Sequence, residues 1–102
     1  MADSLNPEIL LDAAQKGDRD AQFRLGARYF SRGIPGDADI WLRRAAEQGH
    51  AEALNLLGVI YLNGIGVPPA PVRSMEYFTA AARQDLKEAH FNLAGLLFSE
   101  AL

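Results

Sequence analysis

Cysteine is missing from the 102 residues. That excludes a disulfide framework, a thiolate metal site and a cysteine nucleophile, and it fits a reducing compartment. No apolar run approaches the roughly 18 uncharged residues of a membrane span, so no membrane insertion is expected. Cationic excess is also missing. Lys and Arg number 10 against 13 for Asp and Glu, a net charge of −3, so the basic field that nucleic acid or an anionic membrane demands is not there. No segment alternates apolar and polar residues for long enough to predict a strand. The opening "MADSLNPEIL" has no basic n-region, apolar h-region or small-residue cleavage site. The expected location is therefore cytoplasmic, with a periplasmic mature form whose signal has been removed as the alternative.

What the chain does contain is repetition. Leu25-Gly26 returns as Leu57-Gly58, 32 residues on, and as Leu93-Ala94 after a further 36. The neighbours keep register: Ala21, Ala53 and Ala89 precede the pair at a constant interval, Tyr29 answers Tyr61, "AAEQG" at 45–49 answers "AARQD" at 81–85, and Trp41 answers Tyr77. Gly17, Gly33, Gly49 and Gly64 follow runs of helix formers, where a helix end favours a left-handed residue. Asn6 before Pro7, Asp18 and Asp37 read as N-caps, and Asp85 with Glu88 as a capping box. The pattern predicts six helices, near 7–16, 19–32, 38–48, 51–63, 71–84 and 86–99. Short turns between helices of this length call for antiparallel packing, and repetition of the pair makes a superhelical array. "NGIGVPPAPVRS" at 63–74 is longer than "SRGIPGDA" at 31–38 by four residues, which accounts for the change of period. Its prolines read as a rigid connector.

The pattern A-x-x-x-LG-x-x-Y, then G-x-G-V, then an aromatic and AA-x-QG resembles the Sel-one-like repeat, a relative of the tetratricopeptide repeat. The resemblance covers about residues 13–98. It implies an all-α, short right-handed α/α superhelix of antiparallel helix pairs that serves as an adaptor or scaffold in protein complexes, without catalysis or cofactor, and of bacterial origin. The units are then an N-terminal capping helix in 1–17, repeat one in 18–49, repeat two in 50–85 and the first helix of an incomplete third repeat in 86–102. Three departures stand out: the first unit lacks G-x-G-V, Ala70 stands where an acidic residue is common, and Ala94 replaces the helix glycine.

Gly26 and Gly58 each cost roughly 1 kcal/mol relative to Ala inside a helix, which makes sense where backbones approach closely. At about 100° per residue, Ala21, Leu25 and Tyr29 fall on one side of their helix and Phe23, Ala27 and Phe30 on the other. A narrow stripe stays free. It holds Asp20, Arg24, Arg28 and Ser31 in the first unit. Its counterparts are Glu52, Leu56, Ile60 and Asn63, then Glu88, Asn92, Leu96 and Ser99. In tetratricopeptide-like arrays the first helix of each pair lines the concave face. The resemblance thus implies a groove with Arg24 and Arg28 at a cationic edge and Leu56, Ile60, Asn92 and Leu96 along its floor. Such a groove suits a peptide or protein segment that carries acidic residues. Two plainer readings stand beside it: Leu56, Ile60 and Leu96 as core, and the arginines as a solvated row. A dedicated inhibitor, immunity protein or chaperone that masks one cognate protein is the alternative function.

The end helices differ. In "NPEILLDAAQKGD" Leu10 and Ala14 point inward with Glu8, Asp12 and Lys16 toward water, as a solenoid cap requires. "HFNLAGLLFSEAL" is apolar, so Phe91, Phe98 and Leu102 form either the edge of a longer array or a homodimer contact. Enzyme readings find little. His50 and His90 with Glu52 and Glu88 have no HExxH or cysteine pair to support a metal and read as exposed helix-terminal residues. "GIGV" lacks the Lys-Ser/Thr of a phosphate loop. Ser4, Ser31, Ser74 and Ser99 occupy no nucleophile elbow.

Overall fold

A computed structural model describes residues 7–101, and the side chains only as far as residue 98. Asn6, Ser4 and Leu102, and the side chain of Ser99, lie outside the described residues. Among the described residues six helices run in order: α1 (Pro7–Gln15), α2 (Arg19–Ser31), α3 (Pro35–Glu47), α4 (Ala51–Asn63), α5 (Pro71–Ala82) and α6 (Lys87–Ala101). There is no strand among the described residues. Each helix packs chiefly on the one before and the one after it, most closely within the pairs α2/α3 and α4/α5. The result is an all-α solenoid with extents of 46 × 27 × 20 Å.

Repetition in sequence becomes repetition in packing. Ala21, Ala53 and Ala89 are all buried, as are Leu25 and Leu57, while Leu93 is half-buried. Two of the helix glycines, Gly26 and Gly58, sit where the partner helix presses closest. A Cβ built on Gly26 would lie 2.7 Å from Cγ of Leu42, and one on Gly58 would lie 2.5 Å from the Phe78 ring. Leu42 and Phe78, both fully buried, are counterparts 36 residues apart. The second pair is also stapled at its seam. Ser74 Oγ on α5 donates to the Gly58 carbonyl oxygen at 2.6 Å. The junctions between repeats use glutamines: Gln48 Nε2 donates to Gly17 O at 2.9 Å, and its counterpart Gln84 Nε2 to Gly49 O at 2.7 Å.

The turn glycines 17, 33, 49 and 64 all have positive φ, as the helix-end reading requires. Two expected starts are corrected. The third helix begins at Pro35, not after Asp37: Ile34 takes the cap position without a side-chain bond, and Pro35 in the first turn has no N–H to leave unsatisfied. Asp85 does not cap α6. It adopts φ 61° in the turn, doing the work of its counterpart Gly49, and the amides of Ala89 and His90 bond the carbonyl of Leu86 instead. Aspartate is among the few residues with tolerance for that left-handed conformation. The longer connector folds back on the array: Ala70 N–H bonds Tyr61 O at 2.8 Å, and Gly66 rests against Pro35 at the start of α3.

Candidate partner-binding surface

The first helices of successive repeats, α2, α4 and α6, bring equivalent positions into rows. One row is acidic and exposed: Asp20, Glu52, Glu88. The next is Phe23, Asn55, Phe91, and the next Arg24, Leu56, Asn92. Between α2, α4 and the start of α6 lies a cleft of about 280 Å³ lined by Phe23, Glu52, Asn55, Leu56, Leu86 and Glu88. A more open hollow adjoins it, bounded by Asn55, Lys87, Glu88, Phe91 and Asn92.

The cleft walls are tied together. Asn92 Nδ2 donates to Asn55 Oδ1 at 3.0 Å, linking α6 to α4. His50 fixes the other side. As N-cap of α4 its Nδ1 accepts from Ala53 N–H at 3.2 Å, which leaves the proton on Nε2, 3.1 Å from Asp20 Oδ1. Its ring stacks on Phe23 with centroids 4.7 Å apart. His50 is therefore buried, contrary to the expectation of an exposed helix-terminal histidine. One side chain thus caps a helix, orients an acid of the rim and supports an aromatic of the floor. His90 is exposed.

The expected stripe is split. Ile60, at 2% exposure, and Leu96, at 8%, belong to the core and offer a partner no surface. Both side chains turn toward the neighbouring helices, whose axes a projection about one helix does not contain. Leu56 is half-buried in the cleft wall, and Asn92 is committed to Asn55. Arg24 is exposed but lines a separate hollow with Ile9, Asp18 and Asp20 against α1. Arg28 lines another with Glu8, Leu11 and Arg32. The two arginines therefore do not face the Leu56 cleft. Ser31 and Asn63 bond carbonyls of their own helices. At the far end Phe91 and Phe98 are 79% and 69% exposed. Phe23, Asn55 and Leu86 were missed as cleft residues. The signal that finds them is the row 23/55/91 taken across repeats, together with the helix-start position 86.

A second polar group sits on the opposite side, among α3, α4 and α5. The Tyr61 hydroxyl accepts from Arg43 and donates to Asp39 Oδ1 at 3.2 Å, and Asp39 pairs with Arg43 Nε at 3.0 Å. Arg73 lies over the same ring at 5.2 Å, and Tyr77 tilts against it at 5.7 Å. The hydrogen bond to Tyr61 raises the Arg43 pKa, and burial raises that of Tyr77. Arg43, Asp39 and Tyr61 are engaged with one another across α3 and α4, so this is a brace between the two repeats. Among the described residues no group of three or more His, Asp or Glu is placed to hold a metal ion, and no helix is long and apolar enough to cross a membrane.

Paired helices, a repeated close-packing seam and a lined face on the first helices define an α/α solenoid of the repeat-scaffold class. The sequence pattern of the Sel1 repeat matches residues 19–50 and 51–86, and the chain belongs to the Sel1 repeat family. It is 36% identical over 90 residues to the Sel1-repeat-containing protein YjcO of Escherichia coli K12, covering 85% of this chain and 38% of that one. The chain thus spans well under half the length of that relative. It is 41% identical over 63 residues to the chitin synthase regulator SKT5 of Malassezia restricta, covering 55% of this chain and 4% of that protein. Among solved structures it resembles c5321, a protective antigen of uropathogenic Escherichia coli strains with an SLR fold. The TM-score is 0.85 at 38% identity, over 94% of this chain and 21% of that one. Sel1 repeats generally mediate protein–protein interaction and are typically a non-catalytic scaffold.

Proposed function

We propose that the chain is an interaction module that binds a segment of a partner protein along the face of α2, α4 and α6, centred on the cleft between Phe23, Leu56 and Leu86. The observation that carries this reading is the cleft itself: an apolar floor from α2, α4 and the residue leading into α6, held by the His50 and Asn55–Asn92 ties. Its rim shifts the expected partner chemistry. Glu52 and Glu88 border the cleft, with Asp20 in the same row, whereas Arg24 and Arg28 face elsewhere. A segment with an apolar anchor flanked by Lys or Arg fits this rim better than an acidic one, since like charges across an interface oppose docking.

The test is affinity capture from the source cell extract with the natural chain and with two variants that keep helicity by circular dichroism. Leu56→Glu and the double variant Glu52→Lys with Glu88→Lys are each expected to weaken retention of the captured protein by about tenfold or more. Retention unchanged in both would remove the cleft as the binding surface.

A further inference from the structure

We infer that the junction between α2 and α4 is a proton-sensitive device: His50 caps α4 only while its ring is uncharged, so protonation releases the cap together with the Phe23 stack and the Asp20 contact. The consequence for partner binding rests on the cleft reading above, whereas the device itself does not.

The two ring nitrogens have separate duties. Nδ1 accepts the Ala53 N–H at 3.2 Å, and an accepting ring nitrogen carries a lone pair and no proton. Nε2 holds the ring's one hydrogen and lies 3.1 Å from Asp20 Oδ1. A second proton therefore has only Nδ1 to go to. There it would point at the Ala53 N–H, donor against donor, and the ring must turn out of the cap. The corresponding cap of α2 is the Asp18 carboxylate, which accepts through its oxygens and depends on no ring proton. Histidine is the side chain whose ordinary charge change falls between about pH 5 and 8, so α4 alone of the two capped helices carries this condition.

What the ring holds is the contact between the repeats. Its backbone N–H bonds the Ala45 carbonyl at the end of α3. The ring itself stacks on Phe23 of α2, its centroid 4.7 Å from that of the phenyl ring, and is buried there. One protonation thus acts on three helices. Two of the groups it frees, Phe23 and Asp20, belong to the floor and the rim of the cleft.

The charges around the ring do not remove the conflict. Asp20 faces it from α2 and favours a cation, but at Nε2, and its side chain is 72% exposed, where solvent and salt screen such a pair. Arg19, beside it on α2, donates to the Gln48 carbonyl. Glu47 on α3, Glu52 on α4 and Glu88 on α6 are exposed. Among the described residues none of these acids pairs with Nδ1. The capped state binds no proton at Nδ1, whereas the unfolded chain binds one as the pH falls through the histidine range. Stability therefore falls with pH.

His50→Asn supplies the test, because asparagine is a strong N-cap that does not titrate. Between pH ~7.5 and ~5.5 the melting temperature of the natural chain, followed by circular dichroism, should drop about 4–8 °C further than that of His50→Asn. His90→Asn, which removes the exposed histidine, should keep the natural dependence. In NMR spectra of the natural chain, the Ala53 amide signal should move with the His50 ring titration and lose protection from exchange as the titration completes. The same pH dependence in the natural chain and His50→Asn overturns the inference. So does an Ala53 amide indifferent to the His50 titration, or a dependence that disappears with His90. Should His50→Asn fail to fold, the NMR titration of the natural chain decides. These readouts need no partner, so they succeed or fail apart from the cleft reading.

Discussion

At the scale of single residues, glycine carries the most information, because Gly26, Gly58 and Gly95 occupy helices in different surroundings. Gly58 faces the Phe78 ring, and Gly26 faces Leu42, each closer than a Cβ can tolerate. Gly95 faces open space. Overpacking a fully buried neighbour costs about 1–3 kcal/mol, against about 1 kcal/mol regained from helix propensity. Gly58→Ala and Gly26→Ala should therefore lower the melting temperature. Gly95→Ala should raise it, by up to ~1 kcal/mol of stability. Thermal unfolding by circular dichroism separates the three, and a common sign for all of them would be inconsistent with the seams described. Asp85 carries the complementary lesson: the left-handed turn recurs even where glycine does not.

Helices and their junctions show how one element positions the next. The first helices of the two full repeats carry side-chain N-caps, Asp18 on Ala21 N–H at 3.0 Å and His50 on Ala53 N–H. The third has Leu86 at that place, which lines the cleft and offers no acceptor. Loss of a cap costs about 0.5–2 kcal/mol. His50→Ala should lie at or beyond the upper end of that range, because it also removes the Phe23 stack and the Asp20 contact, whereas Asp18→Ala should stay within it. Urea denaturation of the two variants checks the order. Equal losses would mean that His50 contributes only its cap.

For the whole molecule, the solenoid has no single centre, since each helix packs chiefly on its sequence neighbours. Its largest buried cluster joins the two full repeats through Ala38, Leu42, Ala45, Ala53, Leu57, Ile60 and Tyr61. Smaller clusters tie on α1 and α6. Local opening free energies follow such packing. Amide hydrogen exchange should be slowest in α3 and α4 and fastest in α1 and α6. Uniform protection along the chain would indicate one cooperative unit instead. Leu57→Ala, a fully buried cavity in that cluster, should cost about 2–5 kcal/mol and speed exchange in α3 and α4 together.

The sequence by itself determined the periodic parts of this protein. Helix count, pairing, the turn glycines and the role of Gly26 and Gly58 follow from a register that local steric rules impose, and that register also reads as the Sel1 repeat. Only the tertiary structure decided which stripe is free. Ile60 and Leu96 share a projected face with Leu56, yet neighbouring helices bury the first two and leave the third in a cleft wall. The projection puts Arg24 and Arg28 at the edge of that groove, but α1 packs beside α2 and draws them into hollows of their own. By sequence position His50 is a terminal histidine, and the fold brings Phe23, Asp20 and Ala53 around it. The physical reason is the same in each case: a helix sequence sets angles about its own axis, whereas accessibility depends on where the next axis passes.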